Sequence, residues 1–419
     1  MNFRSKYDFS SDVLDVIISG KSSIDSPNGF TLESTTDAEQ FIQNYGYNQD
    51  NPIEKAEILG NFHEALNFVR KHFLQSENPD GLKLEIPRKV LELTDIRELL
   101  LMASLHYPGQ TADTQGQLLR NWACSLLKVM HTIAHIDKDL RSPHFSDIQQ
   151  QIFDRFYKAV HRDGEDLFLG DKNDDPLRVA LVAFETKPKK SRDSIILKLL
   201  HKPENVAEDI FDRAGIRFVT NTRLDALRVV KFLKDKMIVM PPNIKPSRSR
   251  NTLIDLDFFR TQLADVHARA SKGELDEAGL VSELEKAAAP PRVSPDNPHS
   301  SEFYRAIQFT GRQLIKLRNP LYESLKDLKS FAKGKSAEEN SQEDSPGSSK
   351  DAWKKTVEKI DLKYIQREVR FFYPFEVQVV DQKSAEENEA GRSAHSEYKR
   401  AQVQTALKRV MGSLVDAVR

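Results

Sequence analysis

The sequence predicts an α+β fold in two parts: a helical N-terminal domain over residues 1–170 and a mixed-sheet domain over 175–419 with helical and disordered insertions. Three observations carry this expectation. Apolar residues recur at three- and four-residue spacing through the first third of the chain, short β-rich runs alternate with amphipathic helices from residue 177 onward, and polar stretches interrupt the second part without ending it. The length of 419 residues suits two or three domains.

The first 35 residues carry no decisive pattern. From about residue 36 to 165 the chain reads as helix in "NPIEKAEILGNFHEALNFVRKHFL", "PRKVLELTDIRELLLMASL", "TQGQLLRNWACSLLKVMHTIAHI" and "FSDIQQQIFDRFYKAVHR", with Asn51, Thr94 and Ser146 as candidate caps. The pattern then changes. "LRVALVAF" (177–184) and "AGIRFVT" read as strands, "SRDSIILKLL" and "RLDALRVVKFLKDK" as helices, and "MIVM" before Pro241 as a third short strand. An insertion over about 245–300 follows, helical and charged, closing in the turn-rich "PPRVSPDNPHSS". "YRAIQFTGRQLIKLR" (304–318) returns to strand. Residues 333–352, Ser- and Glu-rich without a core residue, predict disorder; "REVRFFYPFEVQVVD" predicts two strand halves divided at Pro374, and an amphipathic helix over about 392–418 closes the chain.

Composition narrows the function classes. With 39% apolar and 30% charged residues and a formal net charge of -1, the chain has no global pull toward nucleic acid or membrane. No apolar run approaches the roughly 20 residues of a bilayer span, and the N-terminus lacks a signal-peptide core, so the expectation is a cytoplasmic protein without a membrane partner. The single cysteine, Cys124, excludes an intramolecular disulfide and a Cys-based zinc site, and reads as a core residue.

Two strands carry charge that a core does not need. "IFDRAGIRFVT" (210–220) opens near Asp212 and places Arg217 among apolar residues, and "PFEVQVVD" sets Glu376 and Gln378 on one face with Phe375, Val377 and Val379 on the other. If the two strands are neighbours, Asp212 and Glu376 converge at one end of the sheet, as paired ligands of a Mg²⁺ ion bridging nucleotide phosphates. "KPKKSRDSIILK", with Lys187, Lys189, Lys190, Arg192 and Lys198, supplies cations for a triphosphate.

Separated segments, in order, resemble the synthetase domain of the RelA/SpoT family, pyrophosphokinases that move a diphosphate from ATP to a guanosine nucleotide. "KKSRDSIILKLL" resembles the basic strand-to-helix segment, with Lys190, Ser194, Ile195 and Lys198 at matching places; "EDIFDRAGIRFV" resembles the Asp-containing strand. "FYRAIQFT" resembles the segment whose tyrosine stacks on the acceptor base, and "FEVQVVD" with "GRSAHSEYKR" resembles the Glu-x-Gln strand and the helix after it, with His395, Tyr398 and Lys399 matching. The resemblance implies a RelA/SpoT-like nucleotidyltransferase domain in a bacterial, cytoplasmic transferase of guanosine tetraphosphate metabolism. It implies Asp212 and Glu376 as catalytic metal ligands for Mg²⁺, and Lys190, Lys198 and Arg217 on ATP phosphates. Tyr304, Gln308 and Gln378 fall on the acceptor side.

The departures fall mainly on acceptor recognition. Gln308 stands where the family has a histidine, Val380 where it has an arginine, Pro188 at the first arginine of the basic segment, and an insertion with Lys245, Arg248 and Arg250 replaces a Lys-Asp-Tyr segment. The acceptor therefore stays open among GDP or GTP, an adenosine nucleotide, and a tRNA end. A catalytically inactive nucleotide sensor or interaction protein is the alternative, and a homo-oligomeric state is left open. A rival metal site, His131 and His135 at i, i+4 with Asp137 nearby, lacks the glutamate or adjacent His-Asp pair that would specify a hydrolase.

Overall fold

The computed structural model describes residues 18, 22, 32–139, 141–171, 177–187, 191–201, 214–291, 304–338, 356–357, 359–362, 365–390 and 395–416. Two hydrophobic cores organise them, and each draws on both halves of the sequence.

The first core is all-helical. It is built from α1 (Thr35–Tyr45), α2 (Pro52–Phe73), the single turn α3 (Arg88–Leu91), α4 (Ile96–Ala103) and α5 (Thr114–Asp137), joined by α7 (Arg192–His201) and α13 (His395–Asp416). Trp122, Phe62, Phe73, Leu126 and Ile133 are fully buried there, with Ile196 and Leu199 from α7 and Val410, Met411 and Leu414 from α13. Local chemistry sets the helix starts. Asn51 caps α2 ahead of Pro52 at its first turn, and Ser34 and Asp37 form a reciprocal capping box on α1. The expected caps Thr94 and Ser146 do not serve. Asp95, whose carboxylate accepts from the Arg97 N–H, caps α4, and Ser146 lies inside α6 (Phe145–Tyr157), which starts after His144 with no side-chain cap.

The second core lies under a seven-stranded sheet of order β1-β2-β3-β4-β7-β6-β5. Its strands are β1 (Val160–Asp163), β2 (Asp166–Leu169), β3 (Val179–Thr186), β4 (Gly215–Thr220), β5 (Arg250–Asn251), β6 (Ile307–Arg318) and β7 (Glu368–Asp381). Every pairing is antiparallel except β4 with β7, which is parallel. Ile216, Phe218, Phe375, Val377 and Val379 turn to one face and pack on α6 through Phe156 and Ile152, and on α8 (Arg223–Asp235) through Val229 and Phe232. The insertion is part of this core: α9 (Leu256–Ser271) and α10 (Glu277–Ala287) bury Phe259, Val266 and Leu284 in it. Two further helices are α11 (Pro320–Glu338), which follows β6, and α12 (Gln382–Ala390), which follows β7.

The mixed α+β class stands, with helices first and a mixed sheet after; four local expectations do not. The helical stretch expected to reach 165 ends at Tyr157, and the β1–β2 hairpin follows, turned by Gly164 at φ 64°. "MIVM" is no strand. Met237 adopts φ 55° after α8, and the Val239 N–H folds back to Leu233 O at 3.0 Å, so the segment ends a helix. Pro374 does not divide β7, which runs unbroken opposite β6. The Glu376 N–H points to Ala214 O at 2.8 Å, so the N–H missing at Pro374 faces the same side, ahead of the start of β4 at Gly215. Residues 333–338 of the stretch expected to be disordered complete α11; 339–352 lie outside the described residues. No helix among the described residues is long and apolar enough to cross a membrane.

Candidate functional site

The sheet face opposite the second core is polar where β3, β4, β7 and β6 meet. Directly opposed residues share a face, and the register aligns Glu185, Arg217, Gln378 and Gln308 in one row, with Gly215, Glu376 and Thr310 in the next. The parallel β4–β7 pair, on which the paired-acid expectation depended, is therefore present.

Glu376 is the centre of the site. Its side chain is only 11% exposed, yet it carries a carboxylate, so both oxygens need partners. Lys187 Nζ donates to Oε2 at 2.8 Å, and Gln308 Nε2 donates to Oε1. Gly215 makes the first contact possible. Lys187 N donates to Gly215 O at 2.8 Å, and the lysine side chain then crosses the glycine, where an added Cβ would stand 2.5 Å from Lys187 Cδ.

Beside this pair, Gln378 donates its amide N–H to the Tyr304 hydroxyl. Burial pushes the Tyr304 phenol above its ordinary range; Glu376 adds to that, while Lys187 and Arg217 pull it down, which places four charged or ionisable groups within reach of one another. Tyr304 is fixed from both sides. Asn388 of α12 brackets the Arg305 backbone, accepting from its N–H at 3.1 Å and donating to its carbonyl at 2.9 Å, and the Ala306 N–H reaches the Thr252 hydroxyl at 3.0 Å. A small apolar patch of Val219, Ala306, Val380 and Ala385 supports the ring. Val380 thus fills a packing position under α12.

Arg217 answers its sequence question in part. Its guanidinium Nη1 donates to Glu389 at 2.8 Å and lies 3.4 Å from Glu185, while its Nε is buried without a hydrogen-bond partner among the described residues. Glu376, Gln378, Gln308, Tyr304 and Arg217 lie on neighbouring positions of one sheet face. Lys198 is half-buried on α7, whose apolar residues belong to the helical core. Asp212 and Lys190 lie outside the described residues, and of His395 and Tyr398 only their place in the first turn of α13 is described. Lys187 was legible only as one lysine of a basic run. Glu185, Glu389 and Gly215 were missed, because nothing local marks them; only the strand order brings them in.

The rival histidine pair is a packed cluster. The His131 and His135 rings are 4.4 Å apart, and Tyr45 hydroxyl and His131 Nδ1 are 2.7 Å apart. Burial, helped by His135, holds His131 down at about 4. Asp137 pairs with Arg192 at 2.6 Å instead of facing the histidines. Among the described residues, no group of three or more His, Cys, Asp or Glu side chains could hold a metal ion. A groove of about 710 Å³ lined by Tyr322, Lys326, Lys329 and Arg367 shares no residue with the Glu376 cluster.

Comparison of the chain with protein-family models, with curated proteins and with solved structures returned no match.

Proposed function

We propose that the chain is a Mg²⁺-dependent pyrophosphokinase of RelA/SpoT-like type, transferring a diphosphate from ATP to the hydroxyl of a nucleotide or an RNA. The observation that supports this best is Glu376: a nearly buried carboxylate on the sheet face opposite the second core, on the strand parallel to β4, with Lys187, Gln308, Gln378 and Tyr304 around it.

The donor set sets the terms for a metal. Glu376 is a hard oxygen donor, but it is the one carboxylate that the described residues place at this point, and Lys187 already neutralises it. That fits a Mg²⁺ held chiefly by substrate phosphates and water, with one or two carboxylates from the protein, rather than a protein cage. Asp212, two residues before Ala214 in sequence, is the proposed second acid. Bound there, Mg²⁺ would supply charge neutralisation for the phosphates.

The chain's own residues would do the rest by position. Lys187 leaves Glu376 for the triphosphate oxygens, Lys190 and Lys198 add cations, and Gln308, Gln378 and Tyr304 orient the acceptor. The acceptor oxygen bonds to the β-phosphorus in line as the bond to the α–β bridging oxygen breaks, so AMP leaves and the hydroxyl proton passes to solvent. Catalysis of this kind is mostly alignment and electrostatics.

One observation favours a second reading, a nucleotide sensor without turnover. Both Glu376 oxygens are engaged, and Arg217 is held by Glu185 and Glu389, so the face is internally neutralised. The deciding experiment offers γ-³²P-ATP and Mg²⁺ with GDP, GTP, ADP, AMP and bulk tRNA in parallel. The enzyme reading expects one labelled product, reduced by about 10²-fold or more in Glu376→Gln. ATP binding with no product from any acceptor would favour the sensor.

A further inference from the structure

We propose that the outer half of the antiparallel β6–β7 pair is a binding track for single-stranded RNA that leads to the Glu376 site. This strand pair continues the site's own face. Beyond the Thr310–Glu376 pair, the register sets Arg312 opposite Pro374, Leu314 opposite Phe372, Lys316 opposite Arg370, and Arg318 opposite Glu368. Alternate residues share a face, so these side chains stand on the same side as Glu376, while Gln313, Ile315, Leu317 and Tyr373 are buried on the other. At about 3.4 Å per residue, the run from Thr310 to Arg318 extends roughly 27 Å.

Charge and apolar surface on this track point to one kind of ligand. Arg312, Lys316, Arg318 and Arg370 are all exposed. Arg370 is 2.9 Å from Glu368, but Arg312, Lys316 and Arg318 have no carboxylate partner among the described residues. Arg250, opposite Gln308 on β5, adds an exposed cation at the site end. The whole chain carries a formal net charge of only -1, so this concentration is local. A solvated face explains lysines and arginines. It does not explain the apolar pair set between them, with Leu314 42% and Phe372 52% exposed directly across from each other.

Phosphates on cations and bases stacked on an exposed ring are how a single strand binds a sheet. A duplex hides its base faces and would leave Phe372 without a role. RNA is favoured over DNA because the track runs into the half-buried Gln308, whose amide a 2′-hydroxyl can use. The inference goes beyond the transfer reaction proposed above and does not require it.

The test is fluorescence anisotropy of the full chain with a labelled mixed-sequence RNA 12-mer and the DNA of the same sequence, without ATP or Mg²⁺. Two variants accompany it, Arg312→Gln/Lys316→Gln/Arg318→Gln and Phe372→Ala, each checked for folding by circular dichroism. The expected results are RNA binding tighter than DNA binding, a log–log salt slope smaller by about 2 in the triple variant, and affinity about tenfold weaker in Phe372→Ala. No RNA binding by the full chain, or an unchanged affinity and slope in both variants, overturns the track. Equal DNA binding overturns the choice of RNA, and capture by anionic phospholipid vesicles with no RNA binding makes the face a membrane contact instead. RNA binding without diphosphate transfer would leave the track standing and remove the transfer reading; transfer to GDP without RNA binding would do the reverse.

Discussion

At the residue scale, the site depends on a glycine that has nothing to do with a turn. Gly215 lies in mid-sheet without a positive φ, and its missing side chain is the space that Lys187 crosses to reach Glu376. An alanine there is compatible with the backbone but not with the lysine. Gly215→Ala is expected to cost about 1–2 kcal/mol, within the range for disturbing a partly buried charge pair. In a Lys187→Ala background the 2.5 and 3.0 Å contacts with Cδ and Cγ are gone and only the Cβ at 3.3 Å remains, so the same change is expected to be near neutral, the lower backbone entropy cost of alanine offsetting a small adjustment. Urea melts of the four proteins in a double-mutant cycle check this difference. The Gly215–Lys187 contact was not legible in the sequence, because a glycine before a strand reads as a boundary until the neighbouring strand is known.

His131 supplies a pH dependence at the same scale. Burial, helped by the neighbouring His135, lowers its pKa to about 4 from an ordinary 6.5. Between those values the unfolded chain binds the proton and the folded chain does not, so stability falls as pH drops from about 6.5 toward 4. At pH 5 the loss from this group is up to about 2 kcal/mol. Urea midpoints at pH 7 and pH 5 for the wild type and His131→Leu test it: the wild type is expected to lose more than the variant. The i, i+4 spacing was legible; that it holds a neutral ring against tyrosine, and not a metal, depends on a helix some 86 residues away in sequence.

At the element scale, what the sequence disclosed depended on how local the cause is. β4 and the alternating half of β7 were plain from their period-two pattern, and so was the split between Glu376 with Gln378 and the apolar residues between them. Continuity through Pro374 was not, because it depends on where the adjacent strand begins. The β1–β2 hairpin carried a local signal, the Asp163-Gly164 dipeptide, that the helical pattern of the preceding residues obscured. The N-terminus of α7, next in sequence to the basic run, is tied to the helical core by charge. Arg192 reaches Asp137 at 2.6 Å and also Glu64, and Asp193 holds Lys71 and, at 3.1 Å, His72. These contacts join segments far apart in sequence, and no single-segment pattern could announce them.

At the scale of the whole molecule, the fold class was legible and the interleaving of the two cores was not. Periodicity shows that α13 is amphipathic but not which core receives it. The structure sends Ala406, Leu407, Val410, Met411 and Leu414 to the helical core, against α5 and α7. A chain ending at residue 394 is therefore expected to destabilise the N-terminal helices by several kcal/mol, each buried Leu or Met contributing about 2 kcal/mol or more. Calorimetry should show the helical transition lowered or lost. A truncated protein that melts like the full chain would contradict the shared core.

The helical core and the proposed site are linked through the chain, since α7 belongs to the helical core while Lys187, just ahead of it in sequence, reaches Glu376. The most direct measurement is a crystal structure of the full chain with a non-hydrolysable ATP analogue and Mg²⁺. The account predicts the triphosphate beside Glu376 on the face of β4 and β7 opposite the second core, with the Lys187 ammonium moved from Glu376 onto phosphate oxygens. A triphosphate bound elsewhere, with the Lys187–Glu376 pair unchanged, would contradict it.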